Sequence, residues 1–384
     1  MNLEHYFSTY KEKMISGRYI SPEHIQPLLE KHSRKKHVSN EGLSVEGKPI
    51  FLYQIGKGNF KILMWSQMHG NESTTTKAVF DLMNFLESDE FEAKLLLEKF
   101  SFYIFPMLNP DGAEKYTRVN ANQVDLNRDF QNLTQPESQL LRSFLKKIKP
   151  DFCFNLHDQR TIFGVGDSGK PATVSFLAPS FNENRDINEV RKKAMSVIIA
   201  MNQTLQKYIP GQVGRFDDSF NINCVGDAFK FLGTPTILFE AGHFPNDYER
   251  EETRKYIFFS LISSLQFLNE NDIVDNEIDN YFKIPQNKAN FYDLIYKKIK
   301  IYYDGKQIIS NFALQFQEKL QNGKIEVVAK IAEIGDLTGK FSHFEFDGEG
   351  EEVVFEDGNS IEVGKIGNFQ IGKNVKIVNG LPKY

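Results

Sequence analysis

His69 and Glu72 stand three residues apart in the stretch Trp65-Ser-Gln-Met-His69-Gly-Asn-Glu72-Ser-Thr. A neutral imidazole and a carboxylate make two-thirds of the His₂Glu set that holds a catalytic zinc and leaves one position for water. Such a spacing arises often by chance, so its weight depends on what the rest of the chain places beside it. His157 ends the apolar run Phe152-Cys-Phe-Asn-Leu156 and supplies the third ligand type; the bland alternative is a polar residue closing a strand. Glu240 ends Thr236-Ile-Leu-Phe239. A carboxylate there suits proton transfer from a metal-acidified water to a leaving amine, against the alternative of a structural ion pair with an arginine. Arg118 suits polarisation of a carbonyl, and Asn127 with Arg128 suits a bidentate grip on a substrate carboxylate. Any one of these arginines alone would read as solvated surface.

The elements that must position these groups follow from hydrophobic periodicity. Phe60–Trp65 reads as a buried strand leading into His69, and Ala78, Val79, Leu82, Met83 and Phe85 give 75–86 a helical stripe. A second buried strand starts at Phe100 and ends in Asn109-Pro-Asp-Gly112, a turn signal. A polar loop carries Arg118 to Phe130. Gln135-Pro-Glu137 opens a helix to Ile148, the His157 strand follows, and 186–208 and 248–268 read as long helices around the Glu240 strand. Apolar strands alternating with helices predict an α/β domain with a largely parallel sheet. His69, His157 and Glu240 then all fall at C-terminal strand ends, the sheet edge where ligands bind.

Residues 1–40 read as a polar helical segment packing on a catalytic domain of 41–272, which opens with a hairpin through Gly47-Lys-Pro49. Residues 273–384 read as an acidic linker (272–280) followed by a small β-rich domain with hairpin turns at 302–306, 347–350, 356–359 and 378–380. A length of 384 residues, 40% hydrophobic and 25% charged, is that of a globular protein with a sizeable core. A dispersed net charge of −5 argues against nucleic-acid and membrane-surface binding, and no apolar run approaches a membrane span. The two cysteines, Cys153 and Cys224, lie far apart in apolar sequence and read as buried thiols. The start of the chain has no signal-peptide pattern, so the expected location is cytoplasmic.

His69-Gly-Asn-Glu72, Asn109-Pro-Asp-Gly112, Asp125-Leu-Asn127-Arg128, Leu156-His157 and Phe239-Glu240, in that order, resemble the zinc carboxypeptidase family over roughly residues 40–270. The resemblance implies an α/β/α sandwich around a mixed, largely parallel sheet. It implies one Zn²⁺ on His69, Glu72 and His157, Glu240 as general base and acid, Arg118 on the scissile carbonyl, and Asn127 and Arg128 on the terminal carboxylate of a peptide. The sequence departs from digestive members, which carry a mobile tyrosine some twenty residues before the glutamate. Between Tyr208 and Glu240 there is no tyrosine, and Phe216, Asp217, Asp218 and Phe220 stand there instead. The floor of the specificity pocket is expected within 218–231, where Asp227 would suit a basic terminal residue if it is not simply an exposed aspartate. A related group, the deacylases of N-acyl amino acids such as succinylglutamate and aspartate derivatives, shares His-Gly-Asn-Glu, the Asn-Arg pair and a β-rich tail. A deacylase is therefore the rival reading, with an N-acyl amino acid replacing the peptide, and a non-catalytic binding module is the third. The oligomeric state is not legible.

Overall fold

The alternation of one strand sets the two faces of the main sheet. In Phe60–Ser66 of the computed structural model, Ile62 and Met64 join one buried core while Leu63 and Trp65 join a second. A strand buried on both faces needs helices on both sides. The first core takes its helical side from Leu3–Tyr10, Pro22–Ser33, Thr74–Leu86, Glu189–Leu205 and Glu251–Glu270. The second takes it from Pro136–Ile148 and Val225–Phe231. This is the expected α/β/α layering.

The structure describes residues 2–270, 278–355, 358 and 360–383. The chain divides into two units, Met1–Gln159 with Ala172–Asn287, and Arg160–Pro171 with Lys288–Tyr384. The eight-stranded sheet of the first runs in spatial order Val38–Leu43, Pro49–Gly56, Phe100–Phe105, Phe60–Ser66, Phe152–Asp158, Thr236–Ala241, Val174–Leu177 and Val213–Arg215. Its centre, from Phe100–Phe105 to Thr236–Ala241, is parallel; the opening hairpin and the Val174–Leu177 strand enter antiparallel.

Where element boundaries depart from expectation, a cap explains the difference. The helix expected over 186–208 spans Glu189–Leu205, because the Asn188 side chain accepts the Arg191 N–H and starts it there. The helix expected from Tyr248 begins at Glu251, where the Asp247 carboxylate accepts the N–H groups of Glu251, Glu252 and Thr253. Asn109-Pro-Asp-Gly112 is not a free turn but the start of the helix Pro110–Lys115. Asn109 Oδ1 accepts the Gly112 N–H at 2.9 Å and Pro110 occupies the first helical position.

The second unit has two four-stranded sheets. Lys324–Gly335, Lys306–Gln321, Phe291–Tyr303 and Phe341–Asp347 form one; Val353–Phe355, Phe369–Ile371, Val375–Val378 and Leu381–Lys383 form the other. Tyr296, Phe312, Phe355 and Phe369 stack in its own core. Two of the expected hairpin turns close as the sequence requires. Asp304-Gly305 and Asn379-Gly380 take positive φ at both central positions, 50° and 73° in the first and 50° and 78° in the second. The stretch at 347–350 instead leads from one sheet to the other. Most of the turn at 356–359 and most of the acidic run at 272–280 lie outside the described residues.

Candidate metal centre

Each group of the centre is placed by where its strand stops. Beyond Ser66 the chain turns sharply through Gln67, whose φ of 49° is left-handed. The Gln67 amide donates to Ile20 O (2.7 Å) and Gly70 O (2.8 Å), which pins that turn. Gly70 lies directly on the backbone of Gly112, where a Cβ would come within 1.9 Å of the Gly112 carbonyl carbon. The His-Gly-Asn-Glu and Asn-Pro-Asp-Gly stretches therefore interlock backbone to backbone, and only glycine permits it.

The helix after Glu72 is capped from the neighbouring strand. Asp158, which follows His157, accepts the Thr74 and Thr75 N–H groups at 2.9 and 3.2 Å. Its own N–H donates to Glu72 Oε2 at 3.1 Å. One residue thus ties the start of the Glu72 helix to the strand that delivers His157.

His69, Glu72 and His157 are all buried, with one ligand atom from each within 4.8 Å of the others. The two Glu72 oxygens face His69 Nδ1 and His157 Nδ1, each at 2.8 Å, and the two Nδ1 atoms stand 3.1 Å apart. His69 Nε2 faces Asp125 Oδ1 at 3.0 Å. Donation of that N–H to Asp125 leaves a lone pair on Nδ1, the orientation that a metal-ligating histidine requires. Two nitrogen lone pairs and a carboxylate converging on one point repel one another until a cation stands between them. The donor set fits zinc.

The electrostatics follow from this crowding. Burial works to raise the Glu72 carboxyl, but His69 and His157 outweigh it and hold it well below the usual range. Burial also works to lower His69, and Glu72 and Asp125 reverse it, so that ring is raised. For His157 burial wins over Glu72 and the ring is lowered. Glu240 sits one strand away, in register with His157 on one side and Ser175 on the other. Its carboxylate makes no hydrogen bond or ion pair among the described residues. Burial first, then the charges of Glu72 and Asp158, push its carboxyl well above the usual range.

The loop 118–128 brings in the remaining groups. Arg118, about half exposed, reaches Glu72 Oε1 with Nη1 (3.2 Å) and Asp125 Oδ2 with Nε (3.0 Å). Asp125 also accepts the Asn127 N–H at 2.9 Å. Asn127 Oδ1 accepts the Val225 N–H at 3.2 Å, which leaves its NH₂ as the group free to donate outward. Arg128 is exposed, with Nη1 on Asn127 O at 3.0 Å. All seven candidate residues thus lie in the first unit and around one sheet edge.

Sequence reasoning missed Asp125 and Asp158 as positioning groups. The signal was present in both cases, a carboxylate two residues before Asn127 and another directly after His157. It also placed both cysteines in apolar surroundings. Cys153 is buried so, but Cys224 is partly exposed and hydrogen-bonds with the Arg128 side chain, because the loop before Val225 folds toward 125–128. Tyr248, after the glutamate, packs its ring on His243 at 4.6 Å.

A mixed α/β/α sandwich thus carries, at the C-terminal ends of parallel strands, a His-Glu-His cluster able to hold a metal ion. The chain belongs to the zinc carboxypeptidase family, whose model matches residues 23–219. That span contains every candidate except Glu240. Carboxypeptidase SOL1 of Arabidopsis thaliana is 31% identical over 138 residues, 30% of this chain and 28% of that protein. The chain thus spans under a third of that relative's length. Among solved structures, a metallo-carboxypeptidase from Burkholderia cenocepacia superposes with a TM-score of 0.52 at 20% identity, over 65% of this chain and 69% of the other. One from Pseudomonas aeruginosa, in complex with (2-guanidinoethylmercapto)succinic acid, gives 0.53 at 18% identity over 66% and 70%. At these identities the likeness establishes the fold.

Proposed function

We propose that the protein is a zinc-dependent carboxypeptidase that releases the C-terminal residue of a peptide. The observation that carries this reading is the convergence of His69, Glu72 and His157, with Glu240 one strand away and Arg118, Asn127 and Arg128 on the adjoining loop. The zinc that His69, Glu72 and His157 would hold supplies a Lewis acid for the carbonyl and an acidified water.

The remaining work falls to the chain's own side chains. Asn127 and Arg128 hold the terminal carboxylate, which fixes the scissile carbonyl in one place and converts a bimolecular encounter into an oriented one. Arg118 lies on the ligand carboxylate side and turns its guanidinium to the carbonyl oxygen as negative charge develops there. Glu240 takes the proton from the attacking water and returns it to the leaving nitrogen; its lack of a fixed partner leaves it free to do both.

The test compares N-acyl dipeptides with N-acyl amino acids as substrates of the zinc-loaded protein, with and without chelator. Release of the terminal residue from dipeptides, abolished by chelation and restored by zinc, is expected. Turnover of N-acyl amino acids alone would replace this reading with the deacylase. Absence of both activities in a protein that retains stoichiometric zinc would leave the binding module.

A further inference from the structure

The two strands that deliver His157 and Glu240 part company just beyond those residues. His157 stands in register with Glu240, and Asp158 with Ala241. One more backbone bond, from Gln159 N to Ala241 O at 2.9 Å, closes that ladder. Gly242 turns to the neighbour on its other side and donates to Thr173 O at 2.8 Å. The carbonyls of Gln159 and Gly242 are left in the interior beyond the ladder, where an unanswered carbonyl costs as much as a lost hydrogen bond.

Arg250 answers both. It stands immediately before the helix Glu251–Glu270, and it is 1% exposed. Nη2 donates to Gln159 O at 3.0 Å, while Nη1 donates to Ala241 O at 2.7 Å and to Gly242 O. One guanidinium thus spans the two strand ends, within two residues of His157 on one side and of Glu240 on the other. Its planar fork fixes the direction of both sets of bonds, which a single ammonium cannot do.

The backbone is strained to make this contact. Arg250 adopts a φ of 59°, the left-handed region that residues other than glycine avoid. Its N–H donates to Asp247 O at 3.1 Å and its carbonyl accepts the Arg254 N–H at 3.0 Å, so the conformation is held from both sides. Thr253 Oγ1 adds a second donor to Gly242 O at 3.3 Å. Burying a cation at a strained position costs more than satisfying three carbonyls requires, since an amide would serve. What the arginine adds is span and positive charge. Burial pushes the Glu240 carboxyl up, and Arg250 is among the charges that oppose it.

We propose that Arg250 is a positioning residue that locks the end of the His157 strand to the end of the Glu240 strand, and so sets the separation between metal and general base. The roles of those two groups rest on the carboxypeptidase reading above. A general base acts only within about 2.6–3.2 Å of the group whose proton it takes. A misplacement of about 1 Å costs roughly 10²-fold in rate. Arg250 contacts neither substrate nor metal in this scheme, so its contribution falls on kcat and leaves KM alone.

The test uses Arg250→Lys, which keeps the charge and loses the fork, and Arg250→Gly, which loses both and relieves the left-handed backbone. On the zinc-loaded proteins, kcat, KM and zinc content are measured with an N-acyl dipeptide and an N-acyl amino acid. The visible bands of the cobalt-substituted proteins read the geometry at His157. Both variants should lose roughly tenfold or more in kcat, with KM within about threefold of wild type. Zinc should stay stoichiometric, and the cobalt bands should shift. Should Arg250→Gly fail to fold, Arg250→Lys carries the test alone. Wild-type kcat in Arg250→Lys overturns the clamp, and so does a fall in kcat matched by loss of zinc, the mark of a general structural role. Turnover of the N-acyl amino acid alone removes the peptidase reading, and the same kcat comparison on that substrate then decides Arg250. If the wild type turns over neither, the proposed function fails; shifted cobalt bands then uphold the clamp, and bands identical to wild type overturn it.

Discussion

Two clusters of buried charge in the first unit are built on opposite plans. Where Leu3–Tyr10, Thr74–Leu86 and Glu251–Glu270 meet, every charge is answered. Arg254 grips Asp81 with two nitrogens at 2.6 and 2.7 Å and also donates to Ile15 O and Glu12 O. Lys77 reaches Glu251 at 2.5 Å and Glu249 O at 3.0 Å, and Lys11 takes the other Glu251 oxygen at 2.7 Å. At the sheet edge, by contrast, like groups face one another: two imidazole nitrogens stand 3.1 Å apart, and the Glu240 carboxylate lies near that of Glu72 with no hydrogen bond among the described residues. The first cluster is completed by folding; on the proposed reading, the second is completed by the metal. A fully answered network fixes helices, whereas an unanswered one raises the free energy of the apo site and returns it on binding.

The largest effects should come from breaking the unanswered cluster. His69→Ala removes one of the three proposed ligands and should abolish zinc binding and turnover together, read by metal analysis and kcat. Glu240→Gln should keep zinc and lower kcat by roughly 10²–10⁴-fold, the span expected for loss of a general base. Because the Glu240 carboxylate is buried with no hydrogen-bond partner among the described residues, the amide should leave the melting temperature unchanged or higher. Retained turnover in Glu240→Gln would remove it from the mechanism; a lowered melting temperature would show that the carboxylate is answered after all.

The answered cluster should respond in the reverse sense. Arg254→Ala strands the Asp81 carboxylate, whose side chain like that of Arg254 is fully buried, and should cost about 3–5 kcal/mol of stability. Denaturant unfolding measures it. The folded fraction should keep its zinc and its kcat, since Arg254 touches none of the site groups. A loss of turnover at full folding would mean that the two clusters are coupled.

This contrast also marks how far the sequence could be read. Apolar runs ending in a polar group located His69, His157 and Glu240, because a strand buried on both faces leaves a strong hydrophobic signal. The fully buried strand Val174–Leu177 and the short strand Val213–Arg215 left too little pattern to be named, although they complete the sheet beside Glu240. Helix starts at 189 and 251 came later than periodicity alone implied, since the decisive groups were the caps Asn188 and Asp247. The answered cluster was illegible throughout. Asp81 and Arg254 pair across 173 residues of sequence, and nothing local distinguishes them from solvated charges. Arg250 was illegible for the same reason, since its burial is a product of packing rather than of its neighbours in sequence.

The smallest effect expected is a pH dependence confined to the answered cluster. Burial works to raise the Glu251 carboxyl, but Lys77, Lys11 and Arg254 outweigh it and lower it to about 2. A carboxyl depressed by folding contributes stability that is fully present above its unfolded value, about 4.3, and that is lost as the pH falls through about 2. Glu251 is partly solvated, so screening limits the contribution to about 1 kcal/mol. Thermal melts of the chelated protein from pH 6 to pH 2 should show Glu251→Gln less stable than wild type at the neutral end, with the gap closing toward the acid end. The competing source is Glu87, lowered to about 2 by His32 and Lys35 against the effect of burial. A gap that stays constant with pH in Glu251→Gln but closes in Glu87→Gln would move the acid-labile joint from the Glu251–Glu270 helix to the Pro22–Ser33 helix.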